Sequence, residues 1–219
     1  MPLNLPKNLC EEDVYRQLGM RGALPDASTK ALVQRACEMT LQNAVPRMAW
    51  RSFSCDALKS ILMGNDIAKH LEHCNRCVLL AVTLGIQMDA FQRKMAVEDM
   101  AAAVAIDAAA SVLAEALAEQ AEQQLRAEQR QKGCYLTGRY SPGYGDFPIA
   151  VQNQLITLLD APRAIGLFVT DSHLLTPRKS ITAVCGISEV PVTGKHAGCV
   201  CCALRETCCI RKEGKRCDT

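Results

Sequence analysis

Net charge is nearly absent from this chain: 25 lysines and arginines stand against 23 aspartates and glutamates, which leaves +2. That balance removes the electrostatic case for nucleic acid or an anionic membrane as a partner. The opening residues, Met1-Pro2-Leu3-Asn4-Leu5-Pro6-Lys7, lack the apolar core of a secretory signal. No apolar run is long enough to cross a bilayer, and the nearest, residues 101–117, is interrupted by Asp107 and Glu115. The expected location is the cytoplasm. Also missing are a Gly-rich phosphate loop, a nucleophile elbow and a zinc-protease helix, so the common signatures of nucleotide hydrolysis, serine hydrolysis and zinc proteolysis are excluded. No internal repeat appears, and there is no low-complexity linker outside the last residues.

Cysteine, by contrast, is plentiful. Thirteen in 219 residues is a high and odd number, and without an export signal it speaks for metal ligands, redox thiols or buried packing rather than a disulfide framework. Cys10, Cys37, Cys55, Cys134 and Cys185 stand alone and read mostly as small buried hydrophobes. Six others crowd into the last twenty-one residues. There Cys199-x2-Cys202-x5-Cys208, with Cys217, Cys209 or Cys201 as a fourth ligand, has the residue types for zinc or an iron-sulfur cluster; a thiol-rich tail without metal is the alternative. Arg205, Arg211, Lys212, Lys215 and Arg216 would lower thiolate pKa values in that stretch. His70-x2-His73-Cys74-x2-Cys77 also has ligand types, but it straddles a helix end and a strand start, which should keep its side chains apart. The division expected is a folded domain over 1–195 and a basic, cysteine-rich tail over 196–219.

The chain has 49% apolar and 22% charged residues, ordinary for a globular protein of one large or two small domains. Two helices are expected between Cys10 and Ala44, with Asp26 or Ser28 capping the second. Met48 to Cys55 alternates as a strand does, and Asn65 to His73 reads as a short helix. Cys77-Val78-Leu79-Leu80-Ala81-Val82-Thr83-Leu84-Gly85 reads as a strand buried on both faces. Residues 89–131 are helical almost without a break, alanine-rich and buried in the centre, polar and solvated from Gln120 onward. Glu115 and Glu119 share one face of that helix. Ala150 to Leu159 suits an amphipathic helix, while Ala164 to Val169 and Ser180 to Ile187 suit strands that pair with each other antiparallel. The fold class is α+β: N-terminal helices, a long alanine-rich central helix and a small, mainly antiparallel twisted sheet.

Ten residues after the long helix carry the most chemical promise. Arg139-Tyr140-Ser141-Pro142-Gly143-Tyr144-Gly145-Asp146-Phe147-Pro148 mixes one cation and two phenols with two glycines and two prolines, so it should form a rigid, non-helical loop. Arg139 offers a planar fork of donors for a carboxylate, and Tyr140 or Tyr144 offers a ring for stacking or a hydroxyl. A tight connector with no binding role is the alternative reading of the same residues.

In this order, CVLLAVTLG at 77–85, the helix with Leu113-Ala114-Glu115-Ala116, RYSPGYGDFP at 139–148 and PRKSITAV at 177–184, the chain resembles the activation domain of cobalamin-dependent methionine synthase. It is closest in character to the stand-alone members that end in a cysteine-rich tail, and the likeness covers roughly residues 10 to 212. The resemblance implies an α+β domain that binds S-adenosylmethionine and presents it to a corrinoid, so that an oxidised cobalamin is remethylated with one electron and the ligand's methyl group. It further implies that Arg139 holds the methionine carboxylate, that Tyr144 and the backbone at Ser141 and Gly143 line the ligand, and that Glu115 faces its positive end or ribose. The family's Pro-Ala-Cys-Pro-Asp-His continuation is replaced here by Gly-Asp-Phe-Pro, and its acid one turn before Glu115 by Ser111. With no cobalamin-binding His motif in the chain, the implied partner is a separate corrinoid protein or methionine synthase, with a flavodoxin or ferredoxin as electron donor. Non-catalytic small-molecule binding or docking on the same fold, or a metalloprotein working through its tail, are the rival readings.

Overall fold

Asp26 ends the loop before the second helix because its carboxylate accepts from Thr29 N at 2.7 Å, satisfying a backbone donor that the helix start would leave open. The computed structural model describes residues 2–20 and 24–192. Its helices are α1 (Glu11–Gln17), α2 (Ala27–Asn43), α3 (Asn65–His70), α4 (Ile86–Glu98), α5 (Met100–Gln131), α6 (Gln152–Leu158) and α7 (Ala161–Ile165). Its strands are β1 (Arg47–Ser54), β2 (Arg76–Thr83), β3 (Tyr135–Leu136), β4 (Phe168–Val169), β5 (Leu175–Thr176) and β6 (Ser180–Ser188).

Four strands form an antiparallel sheet in the order β1-β2-β6-β3, and β4 pairs with β5 in a separate ribbon. β2 is central, which is why seven of its eight residues are apolar or small and buried. Strand alternation divides them: Val78, Leu80 and Val82 face one core, Cys77, Leu79 and Ala81 the other. The first core is helical. α5 packs there against α1, α2, α4 and the sheet, and its alanines at 102, 105, 109, 110, 114, 118 and 121 let the neighbouring backbones come close. The second core is assembled from α3, α6, α7, the loop around Phe147 and the β4-β5 ribbon.

The long helical run departs from the sequence reading in two ways. It breaks at Asp99, whose extended backbone ends α4 and whose carboxylate accepts from Ala102 N at 3.0 Å to start α5. Its polar end is also less solvated than composition suggests, because the N-terminal segment lies along it. Gln120 bonds both the N–H and the carbonyl of Asn4, and Gln124 donates to Pro2 O, while Ala121 and Leu125 are buried. The expectation that no apolar stretch is long enough to span a bilayer is corrected by α5, which among the described residues is the one helix with that length and apolar content, although 56% of its apolar stretch is buried inside the fold.

The segment expected as a strand from Ala164 is another correction. Pro162 near a helix start and Gly166 in the left-handed region at its end close a short helix, α7, and only Phe168 and Val169 are extended. That strand pairs with β5. β6 instead pairs with β2 along its whole length and with β3 at its end.

Candidate functional site

α5 presents Glu115, Glu119, Glu122 and Arg126 along one face, spaced by three or four residues. The chain leaving β3 brings Arg139 under that face. Its Nε donates to Glu122 Oε2 at 3.2 Å, and its Nη2 lies 3.4 Å from Glu115 Oε2 and 3.7 Å from Glu119 Oε2. Glu122 is buried, so it requires a second cation: Arg126 Nη2 meets its other oxygen at 2.5 Å while Arg126 also donates to the carbonyls of Leu136 and Thr137. The fork of Arg139 is thus largely occupied by protein. Nη1 makes no hydrogen bond among the described residues.

The loop after Arg139 is pinned at both ends. Tyr140 exchanges two backbone hydrogen bonds with Val184, 2.9 and 2.8 Å, which fastens it to the free side of β6. Gly143 N donates to Phe147 O at 2.8 Å, and Phe147 is buried in the second core. Gly145, at φ +51°, is the tightest position: an added Cβ would lie 2.1 Å from Asp66 Oδ2 and 2.7 Å from Tyr140 Oη. Asp146 is engaged with the backbone of a neighbouring helix. Its carboxylate accepts from Asn65 N at 2.6 Å and Asp66 N at 3.0 Å, capping α3, whose own N-cap residue is a glycine with no side chain to do so. Asp66 answers by accepting from Asp146 N at 3.2 Å.

Between this loop, α5 and the start of β6 lies a groove with a cavity of about 220 Å3. Glu115, Arg139, Ser141 and Tyr144 all line it. Gly143, named with them from the sequence, does not; it serves the turn, and a Cβ there would meet Ile149. Sequence reasoning passed over Gln152, Ser180 and Thr182, which supply the opposite wall. Ser180 and Thr182 lie in the PRKSITAV motif, which is the signal that could have found them, whereas Gln152 lies in neither motif.

A larger cavity, about 550 Å3, sits between α4 and α5 and includes no residue of the loop. Asp89 there accepts from Arg178 N, and Lys179 Nζ bridges Asp107 Oδ1 and Ser111 Oγ, each at 2.9 Å. Ser111, standing where the family resemblance calls for an acid, is thus one of two oxygens that hold a lysine.

The thiols and imidazoles of 70–77 go to different partners. His70 Nε2 meets Gly138 O at 3.0 Å and Thr137 Oγ1 at 2.9 Å, Cys74 packs on Gly186, and His73 is exposed. Burial pushes the thiols of Cys37 and Cys74 up to about 11. Cys55 moves the other way, because Cys77 donates to it; Cys77 is correspondingly raised by that bond and by burial. Cys199, Cys202, Cys208 and Cys217 lie outside the described residues.

Residues 65–190, more than half of the chain, match the family model described as vitamin B12 dependent methionine synthase, activation domain. No curated protein matches the sequence. Among solved structures, a crystal structure of the MetH reactivation domain bound to AdoHcy aligns with a TM-score of 0.59 and 16% identity, covering 94% of this chain and 83% of that one. At that identity the likeness establishes a shared fold.

Proposed function

Since the chain belongs to the vitamin B12-dependent methionine synthase activation-domain family, we propose that it binds S-adenosylmethionine in the groove beside Arg139 and supports reactivation of a corrinoid on a separate protein. The observation that carries this reading is the convergence of Glu115, Arg139, Ser141 and Tyr144 on one groove. Glu115 and Arg139 are the charged residues that line the wall, and they are held in an ion-pair row with Glu119, Glu122 and Arg126 behind it, so that three carboxylates and two guanidiniums leave the row with one net negative charge. S-adenosylmethionine, with a sulfonium, an ammonium and a carboxylate, has one net positive charge; its demethylated product is neutral. The wall therefore favours the methyl donor over the product.

In this reading Arg139 is positioned by its glutamates and meets the ligand carboxylate through Nη1. Glu115, at the open end of the ion-pair row, approaches the sulfonium or ammonium. Tyr144, 53% exposed and edge-on to Tyr140, gives the ligand a flat apolar contact. The chemistry belongs to the reactants: one electron reduces the partner's cobalt, and the methyl leaves sulfur as a cation whose bonding pair stays on sulfur while cobalt supplies the new bond's pair. The chain contributes position and charge and no nucleophile. A flavodoxin or ferredoxin would supply the electron, and the cytoplasm is the compartment in which these components meet.

The test is a reconstitution in trans. A methionine synthase lacking its own activation domain, inactivated by oxidation, should regain activity only when this protein, S-adenosylmethionine and a low-potential electron donor are all present. Failure to regain activity with every corrinoid protein of the source organism would overturn the reading. For the tail, we propose that Cys199, Cys202, Cys208 and Cys217 hold an iron-sulfur cluster or zinc. Iron, sulfide and zinc analysis after anaerobic purification decides it, and a metal-free protein of full activity would contradict it.

A further inference from the structure

β6 alternates across the sheet, so Ile181, Ala183 and Cys185 face the helical core while Thr182 and Val184 face the other side. Thr182 is buried there, and its hydroxyl donates to Gln152 Oε1 at the first turn of α6. Gln152 is 94% buried, since only 6% of its surface is exposed, yet it lines the groove. With its oxygen taken by Thr182, its Nε2 makes no hydrogen bond among the described residues. A carboxamide locked at one end and open at the other presents a fixed donor to whatever fills the groove.

The two walls come from opposite faces of the sheet. Glu115 and Arg139 belong to the α5 side, Gln152 and Thr182 to the α6 side, so the groove wraps the edge of β6 just beyond Tyr140. A ligand seated on both walls meets full charges at one end and a neutral donor, with Leu175, at the other. A fixed carboxamide donor discriminates against any ligand that lacks an acceptor at its position, because leaving it unpaired in a buried site carries a penalty that a flexible surface group would escape.

We propose that Gln152, oriented by Thr182, is a specificity-determining residue that donates to a neutral acceptor on the nucleoside end of the ligand. This rests on the reading that the groove takes an adenosyl sulfur compound. Calorimetry with S-adenosylhomocysteine, and with deaza and deoxy analogues that each delete one acceptor, tests it on the full chain. The wild type should lose about tenfold in affinity for one analogue. Gln152→Leu should bind the parent compound about tenfold more weakly and no longer distinguish that analogue. Gln152→Glu, similar in shape but without the donor, should do the same, and Thr182→Val should weaken binding by about threefold. Parent affinity unchanged in both Gln152 variants, or discrimination retained in them, overturns the proposal while leaving the groove assignment standing. A wild type that binds none of these compounds overturns the groove assignment, and this inference with it.

Discussion

The two faces of the central sheet are built by different means. On one, α5 and its helical neighbours cover Val78, Leu80 and Val82 with a regular array of alanine and leucine. On the other, short helices and a Gly/Pro loop cover Cys77, Leu79 and Ala81, and Phe147, Leu155 and Leu167 supply the bulk. The helical face depends on period, which many sequences satisfy. The loop face depends on individual long-range contacts, such as Asp146 on the start of α3 and Tyr140 on β6. The groove lies where the two meet, so it takes its charges from the regular face and its shape from the irregular one.

That contrast can be broken by mutation. Phe147→Ala should cost about 4 kcal/mol and abolish ligand binding even under conditions where the chain stays folded, because the residue anchors the loop. Leu113→Ala, equally buried in the helical face, should cost about 3 kcal/mol with ligand affinity unchanged in the folded fraction. Denaturant melts paired with calorimetry separate the two, and equal affinity losses would show that the faces do not divide the work. Asp146→Ala should cost about 1 kcal/mol through the lost cap on α3, measurable in the same melts. Lys94→Ala on the outer face of α4, where Glu98 lies 3.8 Å away, should change stability by no more than about 0.5 kcal/mol.

Thiol reactivity sharpens the comparison. Each core holds a cysteine whose thiol burial raises to about 11, Cys37 on the helical side and Cys74 on the loop side, and the more deeply buried Cys185 and Cys77 are raised further. The thiolates of Cys37 and Cys74 become abundant only as the pH rises toward about 11. At mildly alkaline pH, alkylation followed by mass spectrometry should modify Cys55, whose thiolate is favoured by the Cys77 donor, well before either. Cys37 or Cys74 reacting as fast as Cys55 would contradict that order.

Periodicity made β1, β2 and the long helix legible, and the RYSPGYGDFP motif located the loop. The break at Asp99 was not legible, because an aspartate inside an alanine-rich run carries no distinct signal until its side chain is seen to cap. Nor was α7: the apolar run around Ile165 and Leu167 looks extended unless Pro162 and Gly166 are read as a helix start and stop. At the site, Arg139 and Glu115 were visible as charge types, but that Glu122 and Arg126 join them depends on where β3 delivers the chain. Gln152 lay hidden for a related reason. A glutamine at a helix start is ordinary in sequence, and its role comes from Thr182, thirty residues later.

The claim that the groove takes a cationic adenosyl ligand is tested most directly by measuring S-adenosylmethionine and S-adenosylhomocysteine affinities for the wild type and Glu115→Gln. Glu115 is on the rim with 61% of its side chain exposed, so its removal should unfold nothing. The wild type should bind both and prefer the methyl donor, and Glu115→Gln should narrow that preference by roughly threefold. Binding of neither compound, or the same preference in both proteins, would contradict it.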